Sequence, residues 1–175
     1  MNDYAKVIGE RAVRFERTLP GPIERVWQYL TESDLRGTWF ATGAMEPRVG
    51  GKMTLNFQHQ QLTDHGEKVP ERHKAMEDGP ITSGGTITVW DPPRPLAFVW
   101  EPDSEVSFEL SPKGKDVLLV LTHSKLASRD EMVDVSGGWH AHLGVLLERL
   151  HGQRPAPFWP RLERYEREYA ERIPR

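Results

Sequence analysis

Gly137-Gly138-Trp139-His140-Ala141-His142 sets two imidazoles two residues apart inside the longest apolar repeat of the chain. Imidazole can ligate a metal, carry a proton or make hydrogen bonds near neutral pH, and each use demands its own geometry. A helical zinc motif takes histidines four apart with a glutamate between them. Here the offset is two and no glutamate intervenes, so one regular helix cannot turn both rings to one ion. His59, His65 and His73 share a polar segment with Asp64, Glu67 and Glu71. That spacing matches no ligand motif, and a charged, solvated loop is the expectation there. His123 follows Thr122 at the end of an apolar alternation, on the inward parity, and is expected to hold the next loop in place. Acid–base chemistry needs paired ionisable groups in a dry site. Glu101 and Glu109 instead fall on the outward parity beside Trp100 and Phe108. No nucleophile elbow, glycine-rich phosphate loop or Ser/His/Asp pattern is present. No residue is assigned as catalytic or metal-binding, and no cofactor is implied.

Composition narrows the classes. A chain of 175 residues with 37 % hydrophobic residues and six tryptophans can bury a sizeable single core. A net charge of −3 supplies no basic field for nucleic acid. Cysteine is absent, which removes disulfides, thiol nucleophiles and cysteine-based metal sites. No apolar run approaches the roughly 18 residues of a membrane span. With no apolar segment near Met1, a cytoplasmic location is expected.

The elements that must position any site follow from periodicity. Residues 11–19 alternate as a half-buried strand, and Pro20-Gly21-Pro22 ends it. Ile23, Val26, Trp27 and Leu30 then mark one face of a short helix. Ser33 is suited to cap a second turn that delivers Trp39-Phe40. Strand-like runs follow at 45–49, 52–57, 85–90, 96–101, 105–110 and 117–123, separated by Gly50-Gly51, Asp91-Pro92-Pro93, Glu101-Pro102-Asp103 and Ser111–Lys115. Short turns imply antiparallel neighbours. The one long connection, His59 to Gly84, has the size of a lid, a binding loop or a disordered segment. Met132, Val135, Trp139, Leu143, Leu146 and Leu150 form the stripe of a long helix. Beyond Gly152 and Pro155-Ala156-Pro157, Phe158, Leu162, Tyr165, Tyr169 and Ile173 stripe a last one.

Several strings in this order resemble the SRPBCC (START-like, helix-grip) superfamily and its AHSA1-like branch. They are Pro22–Trp27, Trp39-Phe40, Val49-Gly50-Gly51, Val89–Trp100, Leu121-Thr122-His123 and Gly138-Trp139, spread over about residues 10–152. The resemblance implies an α+β helix-grip (START/Bet v 1-like) fold: a curved antiparallel sheet wrapped around a long C-terminal helix, here with an extra C-terminal helix. The chain reads as one domain, 1–175, with its core at about 10–152 and a helical extension at 153–175.

Such proteins typically hold a cavity between sheet and helix. The candidates to line it are Trp27, Trp39, Phe98, Trp100, Phe108, Leu119, Leu121, Trp139, His142, Leu143 and Leu146; plain core filling is the default for any one aromatic taken singly. On a helical wheel Trp139, Leu143, Leu146 and Leu150 share an arc, with His142 and His140 at its borders. His142 is expected to be half in water. Gly137, Ala141 and Gly144 share the opposite arc, for which solvent is expected over close packing by the last helix or a partner chain. The paired glycines are placed in the first helical turn. Leu118 and Val120, apolar on the outward parity, suggest a cover, either the last helix or a second copy in a homodimer.

The function expected is binding of a small apolar or aromatic ligand, without nucleic acid or a membrane span. A cavity enzyme of cyclase, hydratase or hydrolase type is the first alternative. A protein-interaction or chaperone-ATPase-stimulating module is the second.

Overall fold

The computed structural model describes residues 2–175. Strand β1 (Lys6–Ile8) leads into β2 (Ala12–Pro20), then helices α1 (Ile23–Thr31) and α2 (Ser33–Arg36). Strands β3 (Lys52–Phe57), β4 (Ile81–Trp90), β5 (Pro95–Trp100), β6 (Ser104–Lys113) and β7 (Asp116–Ser124) follow. Helices α3 (Arg129–Leu150) and α4 (Phe158–Arg172) close the chain. The strands make one sheet in the order β1-β2-β7-β6-β5-β4-β3, antiparallel throughout. The first long strand therefore pairs with the last, and the two short helices span the sheet between β2 and β3. A bulge between Ile87 and Val89 breaks the register of β4 and bends the sheet.

Strict alternation decides which face is inside. Val13, Phe15 and Leu19 of β2, Val106, Phe108 and Leu110 of β6, and Val117, Leu119 and Leu121 of β7 are all buried. They pack under α3, whose Trp139, Leu143, Leu146 and Leu150 are buried in turn. Helix α3 starts cleanly because Ser128 accepts the Glu131 amide at 3.1 Å while the Glu131 carboxylate returns to the Ala127 amide. Arg36 ties down the crossing from α2 to β3. Its buried guanidinium donates to the carbonyls of Ala41, Thr31 and Gly43 at 3.0, 3.0 and 2.5 Å.

Several sequence expectations need correction. Met45 to Val49 is not a strand; only isolated bridges, Thr42 with Asn56 and Met45 with Met53, join that stretch to β3. Ser33 does not cap α2 through its side chain but accepts the Gly43 amide at 2.9 Å. Gly137 and Gly138 lie well inside α3, not in its first turn.

The small-residue arc does not face solvent, because α4 lies on it. A Cβ placed on Gly137 would stand 2.9 Å from Cγ and 3.3 Å from the amide nitrogen of Glu166, and the Arg161 guanidinium lies over Gly144. Helix α4 buries its own stripe there, including Phe158, Trp159, Leu162 and Tyr169. It does not cover the convex side of the sheet. Leu118 and Val120 remain half-buried there, flanked by Thr18 and Ser111 and by Glu16 and Glu109 on the neighbouring strands.

Candidate functional site

Between the β3–β5 end of the sheet and the first half of α3 the packing is incomplete. A cavity of about 270 Å³ remains, walled by Phe40, Phe57, Trp100, Trp139, Ile81 and Val135, with Ser83, His123, Met76, Gly138, His59 and His142 around it. The walls come from distant parts of the chain. Phe57 ends the inward alternation Met53-Leu55-Phe57, Phe40 follows α2, and Trp139 and Gly138 face the sheet from α3. Phe40 stacks on Trp139 with centroids 4.8 Å apart, and Phe57 stacks on Trp100 at 5.9 Å.

The polar edges of these aromatics are engaged within the protein. Trp100 Nε1 donates to Ser83 Oγ at 2.7 Å. Trp139 Nε1 donates to His123 Nδ1 at 3.0 Å, which makes Nδ1 the acceptor and leaves His123 Nε2 to donate to Ser104 Oγ at 2.9 Å. His123 is thereby saturated, and burial pushes its pKa down to about 4. Its bond to Ser104 pins the start of β6, whereas the sequence assigned it to the loop that follows β7. With both indole N–H groups used, what the cavity presents is almost entirely apolar carbon, aromatic and aliphatic.

Its polar boundary lies at one end. His59, Met76, Gly138 and His142 also border an adjoining cleft of about 370 Å³, whose other walls include Arg72, His73, Asp134 and Glu166. These four residues form a neck between an apolar chamber and a charged vestibule. His142 Nδ1 donates to the Trp39 carbonyl at 2.7 Å, since that oxygen can only accept. The tautomer is thus set, and Nε2 is left as an acceptor. The His59 ring lies 5.5 Å from that of His142, stacks on Phe57, and buries its Nδ1 without a partner. Burial, with the neighbouring imidazole second, lowers the pKa of His142 to about 3. Burial, with His73 second, lowers that of His59 to about 4. Both rings are neutral at neutral pH.

The expectation of water around His142 is therefore wrong. The residue is 5 % exposed, because α4 and the long loop cover the border of the α3 stripe that the wheel left open. Phe158 of α4 lies 5.0 Å from it. His140, on the other border, is buried as well. Tyr165 stacks on it at 3.6 Å, and the Tyr169 hydroxyl, which takes the Ala5 amide, donates to its Nδ1 at 2.9 Å.

The loop from 59 to 80 is likewise no solvated tether. Glu67 receives the amides of Phe158 and Trp159 at 2.9 and 2.8 Å and so caps α4. His73 meets buried Glu166 at 2.9 Å, Arg72 meets Asp134 at 2.5 Å, and His65 meets the Pro155 carbonyl at 2.8 Å. These contacts hold the loop against α3 and α4, with Met76 over the neck. Among the described residues no group of three His, Asp or Glu side chains is placed to hold a metal ion.

Of the residues named from the sequence, Trp100, Trp139 and His142 line the chamber. Phe98, Phe108, Leu119, Leu121, Leu143 and Leu146 are buried core residues outside its wall. Trp27 packs edge-on against Trp90 with centroids 5.2 Å apart. Trp39 is fixed by its indole N–H on the Tyr29 carbonyl at 2.8 Å and contributes its own carbonyl to His142. The residues not named beforehand are chiefly Phe40, Phe57, His59, Met76 and Gly138. The parity of β3 marks Phe57 as inward; nothing local marks His59 or Met76, which arrive on the loop.

Comparison with solved structures finds the same architecture elsewhere. A Bordetella parapertussis protein solved by NMR is 44 % identical, with a TM-score of 0.83, over 99 % of this chain and 92 % of that one. CalU16 from Micromonospora echinospora is 25 % identical, TM-score 0.66, over 97 % and 92 %. The Aha1 dimer from Colwellia psychrerythraea shares the fold at 17 % identity, TM-score 0.60, over 79 % and 95 %. A search of curated proteins found no match. No helix among the described residues is long and apolar enough to cross a membrane. The model of the family described as activator of Hsp90 ATPase homolog 1-like protein matches residues 20–151, three quarters of the chain, and the protein belongs to that family.

Proposed function

We propose that the protein binds a small, flat, largely apolar ligand in the chamber between the sheet and α3. The observation that carries this is an aromatic-walled chamber whose indole N–H groups are already satisfied, so that it offers apolar faces and few polar atoms. Small-molecule sites are of this kind, with a few polar groups placed to orient the ligand. An engineered apolar cavity of roughly 150 Å³ takes benzene. A chamber of about 270 Å³ therefore suits two fused rings.

Acid–base catalysis is the second reading, and its support is the pair His59 and His142 at the neck. Both are held neutral with pKa values far below neutrality. That suits hydrogen bonding better than proton transfer, which works best with a pKa near the working pH.

Titration with naphthalene tests the binding reading, because Trp100 and Trp139 are in the wall and report occupancy by fluorescence. Saturable one-to-one quenching, abolished by Gly138→Leu, is expected. A linear response, or one that the folded Gly138→Leu variant leaves intact, would dispose of it.

A further inference from the structure

We infer that the neck reads a hydroxyl group on the ligand, with His142 as its acceptor and His59 as its donor; the inference rests on the ligand-binding reading of the same chamber. It begins with proton placement. The Trp39 carbonyl fixes the proton of His142 on Nδ1, so Nε2 carries a lone pair, and among the described residues nothing hydrogen-bonds it. His59 buries Nδ1 without a partner. A buried N–H left without an acceptor is rarer and costlier than an unpaired lone pair. The neutral ring therefore keeps its proton on Nε2, and Nε2–H is the donor it has to offer.

One free acceptor and one free donor thus stand on rings 5.5 Å apart, both on the border shared by the apolar chamber and its vestibule. A hydroxyl is the smallest group that donates to one and accepts from the other at once. A carboxylate would leave the His142 lone pair facing negative charge, and an ammonium would leave the His59 proton without an acceptor. The ligand class is then a neutral aromatic alcohol or phenol, its rings among Phe40, Phe57, Trp100 and Trp139 and its hydroxyl at the neck.

The test compares naphthalene, 2-naphthol and 2-methoxynaphthalene by calorimetry on the wild-type protein, then on His142→Phe and His59→Phe. Burying a hydroxyl without hydrogen bonds is unfavourable, so a purely apolar chamber would prefer naphthalene. The neck reverses that order. We expect 2-naphthol to bind roughly tenfold tighter than naphthalene, the return on about one to two hydrogen bonds. The methyl ether, unable to donate to His142, loses that advantage. Each phenylalanine variant narrows the gap between the two probes, read as the ratio of their Kd values on that same variant. A wild-type protein that binds naphthalene at least as tightly as 2-naphthol overturns the hydroxyl assignment alone. So does a preference that persists in the methyl ether. If a phenylalanine variant does not fold, the ether comparison on the wild-type protein still decides. If none of the three probes binds, the ligand-binding reading falls and this inference with it.

Discussion

Adding one methyl group to either of two adjacent glycines should change stability in opposite directions. A glycine inside a helix costs about 1 kcal/mol relative to alanine, and Gly137 and Gly138 are both interior to α3. The space around them differs. A Cβ on Gly138 meets no atom within 4 Å, because that side of the helix faces the chamber and its neck. A Cβ on Gly137 meets Glu166 Cγ at 2.9 Å and the backbone nitrogen and Cα of the same residue at 3.3 and 3.4 Å. A side-chain carbon can rotate away; a neighbouring helix backbone has to shift. Gly138→Ala should therefore realise the full propensity gain, about 1 kcal/mol, and raise Tm by about 2–4 °C for a chain of this size. Gly137→Ala makes the same gain against an overpacking cost of about 1–3 kcal/mol, so its Tm should stay level or fall. Thermal melts followed by far-ultraviolet circular dichroism measure both. A drop in Tm for Gly138→Ala would show that its surroundings are not open, and the chamber as described would be wrong. Equal increases for the two variants would contradict the close approach of α4.

Acid should destabilise the fold through its buried histidines. His59 and His123 are held near pKa 4 and His140 and His142 near 3, against an ordinary value of 6.5, with burial as the leading cause in each. The unfolded chain then binds more protons than the folded one between about pH 6.5 and 4, so stability is complete above 6.5 and falls as pH drops through that window. Urea midpoints from pH 7.5 to 4.5 should decline with a slope approaching four protons, and a flat profile would contradict the neutral, buried assignment. Glu67→Ala removes the cap on the first amides of α4 and should cost about 1–2 kcal/mol, read as a lower urea midpoint. Arg36→Met strands three carbonyl acceptors beneath α2 and should cost about 3 kcal/mol or more by the same measurement.

Local pattern was sufficient for most of the architecture. Period-two alternation placed β2, β5, β6 and β7, including which side of each faces inward, because a strand can bury only one face against a single helix layer. Three-and-four spacing placed α3 and α4. The 45–49 stretch was misread because an alternating pattern of five residues does not show whether a partner strand lies beside it. The residues of the chamber were harder to identify, since an inward aromatic in a filled core and one on a cavity wall carry the same local signal. Trp39, Phe98 and Phe108 look like Trp100 and Trp139 until the packing around each is known.

The sequence by itself determined the class of the protein: an antiparallel sheet gripping a long amphipathic helix, without cysteine chemistry or a recognisable catalytic motif. The elements and the missing chemistries rest on composition and periodicity, properties that each segment carries alone, and the grip of sheet on helix on the resemblance of short strings in a fixed order. The tertiary structure decided everything that depends on what a second segment does to the first. Helix α4 turned the glycine–alanine arc of α3 from an expected solvent face into a close helix contact. Together with the loop from 59 to 80, which set His59 beside it, it buried His142, while the Trp39 carbonyl that follows α2 fixed the proton of that ring. A helical wheel shows where a side chain leaves its own helix. What it meets there is set by residues far away along the chain.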